Sequence, residues 1–372
     1  KYFDLWAITR KNNRTSILNK MEALKIKNIN FLFYDPSFLF LVAKKLIGVH
    51  IFYLLWQLGA NNKIKTAMKK NDIQIFHHLT FGNFMLPVSS FGQKNHFIWG
   101  PIGGGNTIPT DFCRHFTVKQ RIFEFIKRLF TNKCNVGVKK RAKNASLIFC
   151  KDKMTLKKIP PKYRSKAMVF TDVAVDLRSK LKKKAPSNNK INFLSVGNIV
   201  PFRGFDILIE AFSKAFIINP DIQLEIVGDG TYINKLKLLA EKRKLGDSII
   251  FSGNTSLESY HKKIANCDIV INSCLKEGGV TVSFDSVAYR KPLICIDTGG
   301  YTKKFVGSAI ILPMSTRYKL IDLLYMAIIK MTNIDFRNKI LKNHNKLKHT
   351  LSWEAKGEEI FEIITKKIIT NK

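Results

Sequence analysis

This chain of 372 residues is short of acid. Asp and Glu together number 27 against 63 Lys and Arg, a formal charge of +36 at pH 7. Such an excess admits nucleic acid, an anionic membrane surface or anionic substrates as partners, and a general bias towards Lys, Asn and Ile accounts for much of it. No recognised nucleic-acid motif goes with the charge. There is no Asp-x-Asp pair to hold a divalent metal against a phosphate. The six cysteines (113, 134, 150, 267, 274, 295) include no Cys-x2-Cys pair, and several sit in apolar runs. That excludes a disulfide scaffold or a zinc site and is the pattern of a reduced, cytosolic protein. No signal peptide is expected, and the chain opens on Lys1 rather than Met, running straight into a strand. Long apolar runs are missing too. The nearest, Phe38 to Leu58, is broken by Lys44, Lys45, Gly48 and His50. Charge near a bilayer centre costs on the order of several kcal/mol, so this run predicts a buried or interfacial helix rather than a span.

What is present is enough apolar residue, 45%, for two cores of ordinary size. Apolar runs of strand length alternate with helical patterns throughout. In the first half the strands are expected at Phe3–Thr9, Ile29–Tyr34, Ile73–His77, Phe97–Trp99, Ser146–Cys150 and Ala167–Thr171. A lysine-rich stretch, Arg178–Lys190, reads as a linker. After it, Ile191–Gly197, Leu224–Val227, Ile249–Phe251, Ile269–Ile271, Leu293–Ile296 and Ala309–Leu312 give a second series of β/α repeats. The class is α/β with parallel sheets.

The stretch from Ser273 to Pro292 holds the most chemistry. It joins two short strands through a glycine-bearing loop and a helix whose apolar residues, Phe284, Val287 and Ala288, recur at i, i+3 and i+4. The backbone amides of Gly279, Val280 and Thr281 are expected at the helix N-terminus, where free N–H groups and the helix dipole favour an anion. Glu277 lies in the loop and Asp285 about one turn into the helix. Phosphate repels carboxylates, so these two acids are assigned to hydroxyl groups further along the ligand: a sugar for one and a ribose diol for the other. A phosphate flanked by two hydroxyl-binding acids describes a nucleotide-sugar.

Glu277 and Asp285 stand at the spacing of the Glu-x7-Glu loop of the retaining family 4 glycosyltransferases, which have the two-domain GT-B fold, and the chain resembles that family. Other motifs follow in the family's order. Gly197-Asn198-Ile199-Val200-Pro201-Phe202-Arg203-Gly204 resembles its diphosphate loop, with Arg203 at the second cation position and Asn198 replacing the first. Val227-Gly228-Asp229-Gly230 resembles a turn near the donor, and Phe251-Ser252-Gly253-Asn254 a loop that lines the base. In the first half, His77-His78 closes a strand, with one histidine expected towards a cleft because adjacent strand side chains point to opposite faces. Trp99-Gly100-Pro101-Ile102-Gly103-Gly104-Gly105 resembles a loop of the bacterial surface-polysaccharide subset, with Gly103, Gly104 and Gly105 in the cleft wall. Leu351-Ser352-Trp353-Glu354 resembles the start of the family's last helix, which crosses back to the first domain.

The resemblance implies two Rossmann-like doubly wound domains facing a cleft. The first, 1–180, binds the acceptor and is completed by helix 353–372; its usual opening strand and glycine loop are expected to be missing. The second, 190–352, binds the nucleotide-sugar. It further implies transfer with retention to a saccharide or lipid-linked acceptor. Neither metal nor cofactor is needed beyond the nucleotide-diphosphate sugar as co-substrate, and no nucleic acid is a partner. Glu277, Arg203 and His77 are the expected catalytic residues. Donor binding falls to Gly197, Asn198, Arg203, Gly228, Asp229, Asn254, Glu277, Gly279, Val280, Thr281 and Asp285. A nucleic-acid-binding protein, a sugar-nucleotide epimerase of the same fold and an inactive paralogue are the competing readings.

Between Arg114 and Arg141 nine basic residues face one acid, Glu124. Val118, Ile122, Phe125, Ile126 and Leu129 recur at helical spacing, with Lys119, Arg121, Lys127 and Arg128 around them. This is either an ordinary surface helix or one resting on an anionic membrane. The expected location is cytoplasmic, peripheral at the inner face of the cytoplasmic membrane.

Overall fold

The structure, a computed structural model, describes residues 3–36, 38–79, 82–86, 88, 95–113, 116–133, 136–176, 190–276 and 281–370; the side chains of 38–50, 130, 132, 133, 136 and 345 lie outside that description. The expected linker therefore falls outside it, apart from Lys190.

Among the described residues twelve strands follow in chain order: β1 (Leu5–Thr9), β2 (Ile29–Phe33), β3 (Ile75–His78), β4 (His96–Ile102), β5 (Ala145–Cys150), β6 (Ala167–Val169), β7 (Ile191–Val196), β8 (Ile222–Val227), β9 (Ile249–Gly253), β10 (Ile269–Asn272), β11 (Leu293–Ile296) and β12 (Ala309–Leu312). In the first half the helices are α1 (Arg14–Ala23), α2 (Phe38–Lys70), α3 (Thr110–Cys113), α4 (Val118–Lys133), α5 (Val136–Asn144) and α6 (Lys153–Lys158). In the second they are α7 (Phe205–Ile218), α8 (Ile233–Lys242), α9 (Leu257–Asn266), α10 (Thr281–Ala288), α11 (Arg317–Thr332), α12 (Ile334–Lys342), α13 (His344–Thr350) and α14 (Trp353–Ile364).

The second half forms one six-stranded parallel sheet in the order β12-β11-β10-β7-β8-β9. The chain runs outward from β7 through β8 to β9, returns to β10 beside β7, and runs outward the other way. This is a doubly wound sheet, and its order reverses between β7 and β10. Its central strands are apolar on both faces, because helices cover both. One core, with Leu224, Ile226, Phe212 and Leu324, lies on one side; the other, with Leu194, Val270, Phe284 and Val287, lies opposite.

The first half is less regular. Strands β3, β4, β5 and β6 form a four-stranded parallel sheet in that order, while β1 and β2 pair separately, Leu5 opposite Ile29. The described part of α2 buries Phe52, Trp56, Ala60, Ile64 and Met68, four residues apart, against Ile8, Tyr34, Ile73 and Phe76. Among the described residues no helix is long and apolar enough to cross a membrane. Ser352 caps α14 by accepting from the Ala355 amide at 3.1 Å, as its Ser-Trp start suggests. The chain's last turns then lie on the first sheet, with Ile364 and Ile368 packed among Ile98, Leu147, Phe149 and Phe170.

Two features lie outside the sequence-based expectation. Ile108, Phe112 and Phe116, numbered within the first half, pack in the core of the second. Helix α4 is inverted: its buried or half-buried residues are Gln120, Glu124, Lys127, Arg128 and Thr131, whereas Val118, Ile122, Phe123, Phe125, Ile126 and Leu129 are exposed. Lys127 donates to the Asn106 carbonyl at 3.3 Å and Arg128 to that of Ile108. Arg141 is buried, donating to the Phe84 carbonyl at 2.9 Å with its guanidinium 5.2 Å from the Trp99 ring centre. Three of the nine cations expected to form one basic surface therefore face the protein. Lys119, Arg121, Lys139 and Lys140 are exposed, and the side chains of Arg114 and Lys133 are outside the described residues.

Candidate functional site

Where a doubly wound sheet reverses its order, the loops leaving the two central strands diverge and open a crevice at their carboxyl ends. Here those loops follow β7 and β10, the two stretches singled out in the sequence. They are tied together. The Leu275 amide donates to Phe202 O at 3.0 Å, and Ser273 Oγ donates to Arg203 O at 2.9 Å. Gly204 makes this approach possible: its φ is +68°, and a Cβ there would lie 2.3 Å from Ser273 O. The pairing leaves Arg203 half-buried, its side chain packed over Gly197.

The neighbouring loops complete a hollow of about 630 Å³ across the ends of β7, β8 and β9. Asn198, Asp229, Gly230, Asn254 and Tyr260 are among its walls. The turn after β8 sits against the turn after β7, with the Ile199 amide donating to Asp229 O at 2.8 Å. A Cβ on Gly228 would fall 2.0 Å from Gly197 O, so only glycine serves at this crossing. Asn198, Asp229 and Asn254 are all exposed into the opening. Sequence and structure thus bring Gly197, Asn198, Arg203, Gly228, Asp229 and Asn254 to one place.

The described part of helix α10 runs from Thr281 to Ala288. Glu277, Gly279 and Val280 lie outside the described residues. Asp285 is half-buried one turn into α10, where Tyr260 Oη donates to its Oδ2 at 2.5 Å. Burial pushes its carboxyl above the usual range, an effect the Tyr260 hydrogen bond opposes. Tyr260 also lines the hollow, so its hydroxyl occupies on Asp285 the place assigned to a ligand hydroxyl.

Sequence reasoning missed the buried group that holds this corner. Asn272, at the end of β10, donates to Tyr301 Oη at 2.6 Å and to Ser283 Oγ at 3.2 Å, and those two oxygens are 3.0 Å apart. It also missed Lys276, which pairs with Glu124 at 2.6 Å, both largely buried. Asn106 Nδ2 donates to the Lys276 carbonyl at 3.2 Å. The inward face of α4 therefore holds the residue that immediately precedes the loop carrying Glu277. Charge complementarity was the only available signal, and with the partners separated by 152 positions it had no local expression.

In the first half, His77 Nε2 lies 2.7 Å from Gly100 O, which makes it the donor, and its ring packs against Phe149. Burial lowers its pKa, so the ring is neutral near pH 7. His78 points the other way, its Nε2 3.2 Å from Tyr53 Oη. Gly103, Gly104 and Gly105 pack on Lys151, Asn83 and Thr155 respectively, and the Gly105 amide donates to Thr155 Oγ1 at 3.0 Å. The close approach these glycines permit is thus to the chain itself.

Residues 178–307 match the family model of the glycosyl transferases group 1. Among curated relatives, Protein CapJ of Staphylococcus aureus is 27% identical over 168 residues, 44% of this chain and 41% of CapJ. The matched stretch spans less than half the length of the curated relatives. A glycosyltransferase from Rickettsia africae ESF-5 superposes with a TM-score of 0.62 at 15% identity, covering 98% of this chain and 90% of that one. WaaG, a glycosyltransferase involved in lipopolysaccharide biosynthesis, does so with a TM-score of 0.56 at 12% identity, covering 97% and 99%. The fold is GT-B, with two Rossmann-like domains, and residues 178–307 are similar to the glycosyl transferases group 1.

Proposed function

We propose that this protein transfers a sugar from a nucleotide-diphosphate sugar to a saccharide or lipid-linked acceptor in bacterial surface-polysaccharide biosynthesis. The observation that carries this reading is the joining of the β7 and β10 loops at the reversal of the sheet, with Arg203 between them and the hollow alongside. The base and ribose would occupy the hollow by Asn198, Asp229 and Asn254, with Asp285 and Tyr260 at the ribose. The diphosphate would lie towards Arg203 and the amides before α10, whose positive charge and dipoles stabilise the leaving group as its bond to the sugar breaks. Glu277 orients the donor sugar, and His77, through Gly100, holds the loop of the facing domain. Retention of configuration and independence of metal or other cofactor belong to the same reading. Similarity to WaaG, which acts in lipopolysaccharide biosynthesis, supports the polysaccharide role. The part of the +36 charge beyond general Lys, Asn and Ile bias is assigned to an anionic membrane rather than nucleic acid, and on this reading the protein works at the inner face of the cytoplasmic membrane.

The test is calorimetry with a panel of nucleoside diphosphates and their sugars. Arg203→Ala is expected to weaken binding by roughly 1.5–3 kcal/mol, the worth of a charge-assisted contact. Unchanged affinity removes Arg203 from the site, and binding of no member of the panel overturns the reading. The anomeric configuration of the product, and turnover in excess chelator, check retention and metal independence.

A further inference from the structure

Two lysines from opposite halves of the chain face each other where those halves meet. Helix α6 follows the carboxyl end of β5, and the loop 297–300 leaves the carboxyl end of β11. These are the ends at which open α/β sheets bind ligands. The two segments touch directly, the Lys153 amide donating to the Gly299 carbonyl at 3.0 Å. Each is built so that its lysines point out. On α6, Asp152 caps the helix by accepting from the Thr155 amide at 2.7 Å, and Thr155 and Ile159 are buried. Lys153 and Lys157, one turn apart, are therefore on the exposed side. In the short turn Tyr301–Phe305, Tyr301, Thr302 and Phe305 are buried, with Thr302 Oγ1 donating to Asp297 Oδ1 at 2.6 Å. That leaves Lys303 and Lys304 exposed. The acids nearby are taken. Asp152 also accepts from the Thr155 hydroxyl at 3.0 Å, Asp172 pairs with Lys151, Glu359 pairs with Lys304, and Asp297 Oδ1 also accepts from the Gly299 amide at 2.9 Å. None of Lys153, Lys157 and Lys303 makes an ion pair among the described residues. The Lys303 ammonium beside Lys153 holds its pKa below the ordinary lysine value, with Lys157 adding to the effect and Asp297 opposing it.

Like charges set against each other across a contact cost free energy, and an anion between them removes the cost. We propose that Lys153, Lys157 and Lys303 bind a phosphate or diphosphate group of the acceptor. The inference rests on the glycosyltransferase reading above and deepens it, because it makes the acceptor a saccharide joined to its lipid through phosphate. Lysine selects phosphate over the carboxylate of an acidic sugar. Its ammonium is a compact point charge with three rotatable donors, whereas a planar carboxylate is better met by the fork of an arginine. Three cations on two elements also match a multiply charged group. The donor's own diphosphate is the poorer occupant, since it is assigned to Arg203 and the loops after β7 and β10. The site draws on both halves, so the bound anion relieves the repulsion between Lys153 and Lys303 and favours the arrangement in which α6 meets the Gly299 loop.

The test is calorimetry with geranyl diphosphate and with inorganic diphosphate, on protein already saturated with the nucleoside diphosphate it binds best. The parent is expected to bind geranyl diphosphate, more weakly as salt rises, and to melt at a higher temperature in its presence. Lys153→Gln with Lys303→Gln is expected to lose at least about tenfold in that affinity, with nucleoside-diphosphate affinity unchanged. A second variant, Lys303→Glu, gives Lys153 a carboxylate partner. It should abolish geranyl diphosphate binding while melting at or above the parent's temperature. Equal geranyl diphosphate affinity in the parent and the Gln variant overturns the inference. Loss of nucleoside-diphosphate affinity in the Gln variant also overturns it, by giving these lysines to the donor. Binding of inorganic diphosphate but not of geranyl diphosphate makes the ligand a free anion and overturns the assignment to the acceptor. A parent that binds nucleoside diphosphate but neither probe overturns the inference and leaves the donor site standing. A parent that binds no nucleoside diphosphate overturns the glycosyltransferase reading itself.

Discussion

At the scale of the residue, Tyr260 and Asp285 test the site most directly. The phenol donates to Asp285 Oδ2 at 2.5 Å and lines the hollow. If Asp285 receives a ribose hydroxyl, ligand and phenol compete for one carboxylate. Asp285→Asn should then weaken nucleoside-diphosphate binding by roughly 1.5–3 kcal/mol, the scale of a hydrogen bond to a charged group. Tyr260→Phe should cost about 1 kcal/mol of stability by losing the hydrogen bond, yet leave binding unchanged or tighter. Calorimetry and thermal melts on both variants decide the matter: a Tyr260→Phe protein that loses binding as Asp285→Asn does would make the phenol itself the ligand contact. The sequence placed Asp285 one turn into its helix but could not supply Tyr260, because spacing along a chain does not reveal a partner 25 positions away on another helix.

At the scale of the element, the ion pair under α4 is the informative one. Glu124 and Lys276 are largely buried, so removing one partner leaves the other charge desolvated. Lys127 would add like-charge repulsion, since it already feels the Lys276 ammonium. Glu124→Gln is expected to cost on the order of 3 kcal/mol. The double variant with Lys276→Met should cost less than Glu124→Gln alone, and denaturant titration of the set reads this as non-additivity. Simple addition of the two single costs would mean the pair is not coupled. This helix also shows where sequence reading stops. The period of Val118, Ile122, Phe125, Ile126 and Leu129 reveals an apolar face, but periodicity carries no sign for inside or outside. Strands were clearer: β10 and β11 lie within a residue of their expected limits, because continuous apolar runs bounded by turns suit only doubly covered parallel strands. In the first sheet, β4 runs on to Ile102 through Gly100 and Pro101, against the usual breaking effect of these residues, because its end is paired with Cys150. The glycines after it read as a ligand loop, but their tight neighbours are Asn83 and Thr155, a contact between distant segments that local sequence does not encode.

At the scale of the whole molecule, two lysines where the halves meet give stability an unusual dependence on pH. Lys356, entering α14, donates to Thr171 O at 2.6 Å in the first half, and burial, aided by the Lys304 charge, holds its pKa down to about 8. Lys127, facing Lys276, is held to about 8 by burial first and that neighbouring ammonium second. Unfolded, both return to the ordinary value of 10.5. Between those values the unfolded chain binds more protons, so stability rises with pH; below about 8 both lysines are charged in either state and the penalty is constant. Buried thiols act oppositely. Cys150 and Cys295 are pushed up to about 12 by burial, and ionise near 9 once exposed, so above that point unfolding releases protons and stability falls. Tyr232, also near 12 for the same leading cause, adds to the fall from about pH 10. Two lysines gaining and two thiols losing cancel above about pH 9, so the rise ends there and the net fall begins near pH 10, where Tyr232 joins the thiols. The melting temperature should rise from pH 7.5 to about 9, level off, and turn down above about pH 10, with Lys356→Met flattening the rise while leaving the decline in place. A melting temperature that falls steadily from pH 7.5, or a rise unaltered by Lys356→Met, would show that Lys356 keeps its proton in the fold and that the contact between the halves is wetter than its burial indicates.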